Sequence, residues 1–385
     1  MKASAILELP FSDFSRDERG LVKLLYANVS VSESRDAGSA VPVRGLLFAV
    51  LEVCNTTCRE KRCMAQRRGI IAKARLAAAA LLLWAGTAGA SERLVVPFQI
   101  SDLEHMIVPI IINNQHHTTG VVDTAATIAM LDGRSAAQSG IALPGPDTPK
   151  VNILGLNGAK DYPLVRLGSL RAGTINLGAV DAAYNRDLEI PGAAANVLPS
   201  SAFPGDVLEF DFRRMVISAY NGRPDRPQTN YYDRIPYTLD DGLIFIDIHI
   251  NGRKGRALID TGSNLTFVNS AFAEHAGLRT NLNKTLLLQG ATGRDKSVRV
   301  ATARKVKLAD FFFNDADLLV SDPVMFEMMG LKEEPLMVLG IDFLSAFKVQ
   351  FDRRRKRMIL ILPDSVVRGV TVDLMARDTR FNPVD

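Results

Sequence analysis

The sequence predicts an all-β protein of two homologous lobes, on three observations. The 385 residues are 47% hydrophobic and 23% charged, an ordinary globular make-up with length for about two domains. That composition excludes a disordered, collagen-like or multi-span membrane chain. Two blocks recur in the same order: Ile107–Ala126 aligns without a gap on Ile244–Ser263, and Val197–Ile217 on Val338–Met358, at offsets of 137 and 141. Inside both copies the apolar pattern has the period of strands.

Charge separates a leader from the body. Of 46 basic and 42 acidic residues, 13 and 8 fall in residues 1–90, leaving 33 and 34 in the rest. The basic balance belongs to the leader, so no nucleic-acid partner is expected of the body. In residues 64–90, Arg67, Arg68, Lys73 and Arg75 precede an apolar run from Leu76 to Trp84, and small residues end at Ala90. That order reads as a signal peptide cleaved after Ala90, which places the mature chain in the periplasm or outside the cell with no stable membrane span. Residues 1–63 read as a mis-assigned start or a disordered extension. They hold all three cysteines, Cys54, Cys58 and Cys63, with no nearby His, a poor zinc pattern.

The first lobe covers 91–218. Ile107–Asn113 is an apolar strand ending at Asn114-Gln115, and Gly120-Val121-Val122 is a short buried strand that delivers Asp123 to a loop. A glycine-bearing turn follows at Gly155–Gly158. Residues 219–240 hold three prolines and little periodicity, and read as a linker. The second lobe, 241–385, repeats the order: Leu243–Ile250, the hairpin signal Asn251-Gly252, Ala257-Leu258-Ile259 running into Asp260, and the turn Gly290–Gly293. Helix is expected only at Ser270–Gly277 and Asp342–Phe347, with Asp342 as N-cap and Ser201 as its first-lobe counterpart.

Asp260-Thr261-Gly262-Ser263 ends a buried strand, and Val338-Leu339-Gly340 follows 78 residues on. This resembles the aspartic protease signature, and the second half is most similar to the retroviral, retropepsin-like enzymes. The duplicated whole resembles a single-chain, pepsin-like pair of β-barrel lobes with a cleft between them, over most of residues 105–360. The resemblance implies an exported aspartic endopeptidase acting on a peptide or protein substrate without metal or cofactor, as a monomer, with a dimer as the alternative. Asp260 and Asp123 are then the catalytic pair, sharing a proton so that one activates water while the other acts as an acid toward the carbonyl oxygen. Thr261 and Thr124 would brace the two loops, Gly262, Ser263, Ala125 and Ala126 complete the motifs, and Gly158, Gly290 and Gly293 mark flap candidates.

The first lobe departs from the family pattern. Ala125 stands where the family has Gly, so its methyl is expected to crowd the cleft. Pro199 stands where the second half has Gly340, and its fixed φ and missing N–H require a different local loop. Two alternatives follow from these departures: a peptide- or protein-binding module with an impaired first loop, or a dyad formed between the second lobes of two chains. Ser263 is expected to donate to Asp260 and lower its pKa, which Ala126 cannot do for Asp123; the expected working range is mildly acidic toward neutral. His116-His117 and the basic run after Asp352 read as hairpin turns, and Phe311–Phe313 and Met325–Met329 as core.

Overall fold

The computed structural model describes residues 92–101, 104–155, 158–187, 196–289 and 295–363, together with short strands at Ser4–Glu8 and Asn28–Ser32. The signal segment 64–90, its cleavage point and both Gly290 and Gly293 lie outside the described residues. The protein is all-β, as the sequence predicts.

The first lobe contains strands β1 (Leu94–Pro97), β2 (Gln99–Ile100), β3 (Met106–Ile112), β4 (His116–Asp123), β5 (Ala129–Asp132), β6 (Lys150–Gly155), β7 (Gly158–Ala172), β8 (Ile175–Asn185) and β9 (Val197–Pro199), with helix α1 (Gly133–Gln138). Its sheet runs β2-β3-β4-β9-β5-β8-β7-β6, and β3 also pairs with β7, curling the sheet upon itself. Strand β3 shows why: Met106, Val108, Ile110 and Ile112 are buried while the residues between them face outward, the two-residue alternation of a one-faced strand. Four more strands, β10 (Val207–Asp211), β11 (Val216–Tyr220), β12 (Tyr232–Pro236) and β13 (Thr238–Asp240), lead into the second lobe.

That lobe contains β14 (Leu243–Ile250), β15 (Arg253–Ile259), β16 (Phe267–Val268), α2 (Ser270–His275), β17 (Arg279–Gln289), β18 (Asp295–Leu308), β19 (Phe311–Val320), α3 (Val324–Met328), β20 (Leu336–Leu339) and α4 (Ile341–Leu344). Its order is β17-β18-β14-β15-β20-β16-β19, and because β18 also pairs with β19, the circuit β14-β15-β20-β16-β19-β18-β17 repeats β3-β4-β9-β5-β8-β7-β6 of the first lobe. The turn between β14 and β15 has both Asn251 and Gly252 at positive φ, 50° and 81°, the geometry that Asn-Gly supplies most readily. Phe311 and Phe313 are buried against Phe347, with ring centroids 4.8 and 6.1 Å away, while Phe312 faces outward under Lys305. Burying each such ring contributes about 1.5–3 kcal/mol.

A third sheet joins the lobes: β12-β22-β21-β10-β11-β1, where β21 is Lys348–Asp352 and β22 is Arg357–Ile361. Here β10 pairs antiparallel with β21, its own counterpart in the sequence, and Glu209 stands opposite Gln350. Gln350 Nε2 donates to Glu209 Oε2 (2.7 Å), and the buried carboxylate also meets Arg93 (3.1 Å) and Lys348 (3.0 Å). A buried carboxylate with three donors is compensated for leaving water.

Three details differ from the sequence-based expectation. Residues 219–240 include β12 and β13, because Tyr232–Pro236 supplies the free edge of β22 with a partner. Helices α1 and α3 were not foreseen: both are too short for a helical period to emerge. Asp342 is not an N-cap; Gly340 holds that position, and the Asp342 carboxylate turns instead to Thr266. Among the described residues no helix is long and apolar enough to cross a membrane.

Candidate active site

Strands β4 and β15 end at Asp123 and Asp260, and β9 and β20 run parallel beside them. Each strand pair forces its aspartate out of the buried sheet into a loop that turns at once. Backbone donors define the turns. Ala125 and Ala126 N–H donate to Asp123 Oδ1 at 2.6 and 3.1 Å, and Gly262 and Ser263 N–H donate to Asp260 Oδ1 at 2.8 and 3.0 Å. The two carboxyls also hydrogen-bond one another, so the pair lies at the meeting point of the lobes.

Thr124 and Thr261 fix that meeting. Thr124 N–H donates to Thr261 Oγ1 (3.1 Å) and Thr261 N–H to Thr124 Oγ1 (3.0 Å). Each hydroxyl then donates onward to the opposite strand, Thr124 to the Ile259 carbonyl (2.7 Å) and Thr261 to the Val122 carbonyl (2.8 Å). Both residues are buried, 3% and 1% exposed, so these four bonds have no water to replace them.

Gly262 is a glycine of necessity. A β-carbon there would lie 2.6 Å from both Cγ and Oδ2 of Asp123. Its counterpart Ala125 carries a methyl without such a penalty: Ala125 packs against the second lobe's apolar cluster of Phe245, Leu258 and Phe267. The loop thus gives the Ala125 methyl an apolar neighbour.

The change at Pro199 is likewise matched by its surroundings. In the second lobe Gly340 N–H donates to Thr266 Oγ1 (2.9 Å), and Thr266 donates through Oγ1 and N–H to Asp342 (2.6 and 2.9 Å). The first-lobe counterparts are Pro199, Ala129 and Ser201. Donor, acceptor and carboxylate are all replaced together, and Pro199 still pairs with Asp123 in the parallel register.

Burial raises the pKa of Asp123, and it raises that of Asp260 further, well above the ordinary range, because the Asp123 charge adds to burial there. The two carboxyls therefore titrate as a unit, held toward the protonated side by burial. This reverses the reasoning from Ser263: its hydroxyl donates to the Leu265 carbonyl (2.8 Å) rather than to Asp260, and its N–H contact has an equal in Ala126. Burial also pushes Asp342 up to about 6.

Gly158, at the turn joining β6 and β7, has φ 115° and lies beside Val324 of α3, its β-carbon position 3.6 Å from Val324 Cγ1. The first-lobe turn thus reaches the second lobe. Val324 and Met328 are exposed on α3, while Met325 and Met329 pack on the second-lobe cluster. The sequence reading missed α3. Among the described residues no group of three His, Cys, Asp or Glu is placed to hold a metal.

Two curled sheets, joined by a third and meeting at two Asp-Thr loops, define a retropepsin-like aspartic protease. The family models agree: residues 246–346 match the gag-polyprotein putative aspartyl protease family, and residues 108–198 match an aspartyl protease family. Each lobe is thus similar to an aspartyl protease domain, a class that acts on peptides. No curated protein matches the chain.

Proposed function

We propose that the chain is an exported endopeptidase that cleaves peptide bonds by attack of a water held between Asp123 and Asp260. The observation that carries this reading is the mutual hydrogen bond of the two carboxyls, one from each lobe of a single chain. Asp123, taken as the ionised member, takes a proton from water as its oxygen adds to the substrate carbonyl carbon. Asp260 gives its proton to the carbonyl oxygen. In the second half, Asp123 returns its proton to the leaving nitrogen, the C–N bond breaks, and Asp260 recovers a proton from the diol. No metal or cofactor is required by these steps.

Contact within one chain favours an intramolecular dyad over pairing of two second lobes. The shared strand order and the nearly equal offsets of 137 and 141 support a tandem duplication as the origin of the two lobes. Export rests on residues 64–90. Arg93, close after the proposed cleavage point, is anchored by Glu209 and Asp225 and lies 4.0 Å over the Tyr220 ring, so a chain starting at Ser91 begins next to a fixed residue.

The test is cleavage of a diverse peptide mixture from pH 3 to 8 by wild type, Asp123→Asn and Asp260→Asn. Loss of activity in both variants is expected. Loss only in Asp260→Asn would transfer the dyad to two chains, and silence from a folded wild type would leave a binding module.

A further inference from the structure

The basic run after Asp352 forms the hairpin turn between β21 and β22, but one of its arginines turns inward. Arg353 is half-buried, while Arg354, Arg355 and Lys356 are exposed. Its backbone N–H donates to the Asp206 carbonyl (2.9 Å), which ties the turn to the first lobe. The guanidinium then reaches three first-lobe carbonyls: Nη2 donates to Ser200 (2.6 Å), and Nη1 to Phe203 and Gly205 (2.5 and 3.3 Å). Gly205 has a φ of 97°, and a β-carbon there would lie 2.7 Å from the Tyr220 carbonyl oxygen, so this part of the loop has little room to shift.

These carbonyls belong to the segment that directly follows β9. In the second lobe the matching segment is helix α4, which satisfies its own carbonyls: Leu344 N–H donates to Gly340 (3.1 Å) and Ser345 N–H to Ile341 (2.8 Å). In the first lobe it shrinks to a single 3-10 turn, Ser200–Ala202, closed by Phe203 N–H on the Ser200 carbonyl (3.2 Å). Ser200 and Phe203 are buried, and carbonyls released by a shortened helix then need another donor. Arg353 supplies it with a planar, permanently charged fork that holds several oxygens at once. The repeat partner of Arg353 is Phe212, which packs against Phe98 and Phe210, so the first lobe offers α4 no such fork in return.

The second lobe braces the strand end beside Asp260 through Gly340, Thr266 and Asp342, and the first lobe lacks all three groups. Pro199, adjacent to Ser200, pairs with Asp123 in the parallel register. The guanidinium on Ser200 therefore acts one residue from the strand end that flanks the aspartate. From this geometry we infer that Arg353 is a positioning residue for Asp123, supplying from the second lobe the brace that the first lobe no longer makes for itself. The kinetic consequence rests on the proposed two-carboxyl reaction; the effect on the loop does not.

Arg353→Met keeps the aliphatic stem and removes the fork, and Arg353→Lys keeps the charge on a single point donor. Arg354→Met, which removes an exposed arginine 3.6 Å from Asp206, is the control. Amide hydrogen exchange in the full chain compares the two lobes. Ala125 and Ala126 N–H, bonded to Asp123, should exchange about tenfold faster in the Met variant, the scale of one lost charge-assisted hydrogen bond. Gly262 and Ser263 N–H, bonded to Asp260, should keep their wild-type rates, whereas a general loosening would speed both pairs alike. In peptide cleavage kcat should fall about five- to tenfold with KM within about twofold. The Lys variant should lie between Met and wild type, and the Arg354 variant should overlay the wild type. If the Met variant does not fold, the Lys variant carries the same comparison between the lobes. An inactive wild type would reject the proposed reaction, and the exchange rates would then decide on Arg353 alone. Equal changes in the two loops, or no change in the first, would overturn the assignment.

Discussion

Replacing Thr261 with Val tests whether the meeting of the lobes is held by hydrogen bonds or by packing. Valine keeps the shape of threonine, so no cavity forms. It removes the donor to the Val122 carbonyl (2.8 Å) and the acceptor for the Thr124 N–H (3.1 Å), leaving two buried backbone groups unsatisfied. At about 1–3 kcal/mol each, the loss is about 2–6 kcal/mol, a large part of a typical folding stability of about 5–15 kcal/mol. Thr124→Val removes the other two bonds, to Ile259 and from Thr261, and should cost a similar amount. The assay is urea unfolding followed by far-UV circular dichroism, because the only tryptophan, Trp84, lies in the leader. Combining both substitutions should cost less than the two single losses together, because a loop already freed by one change admits water to the other. A single loss below about 0.5 kcal/mol would refute the reasoning and mean that packing alone holds the interface.

Gly262→Ala should abolish peptide cleavage, since its β-carbon would lie 2.6 Å from the Asp123 carboxyl, whereas Ala125→Gly should keep activity within about threefold; equal effects in the two assays would contradict the asymmetry. Glu209→Leu should destabilise by about 1–3 kcal/mol by leaving the buried Gln350 amide without its acceptor, since Arg93 and Lys348 are part-exposed and retain Asp225 and Asp211, read in the same urea titration. Stability should also fall as pH rises from about 4 through 6. The carboxyls of Asp342, Asp123 and Asp260 all have folded pKa values raised above the unfolded value, so the native state binds more protons in that window and its advantage is lost as they leave. Urea midpoints measured at pH 4.5 and 7.5 check the sign, and a higher midpoint at pH 7.5 would oppose it.

The fold and the central pair of this protein were legible in the sequence because they depend on short-range pattern. Strand alternation in Met106–Ile112, the Asn251-Gly252 turn and the Asp-Thr at each strand end are local signals, and the offset of 137 between Asp123 and Asp260 ties them together without knowledge of the chain path. What tertiary structure decided was the direction in which the two aspartates are shifted and the fate of the altered first loop. The sequence places Ser263 beside Asp260, but only the fold turns its hydroxyl to Leu265 and brings burial and a neighbouring charge to bear on the carboxyl. Ala125 and Pro199 look damaging read singly. Their partners, an apolar cluster more than a hundred residues away and the linked changes at Ala129 and Ser201, exist as surroundings only once the lobes have closed.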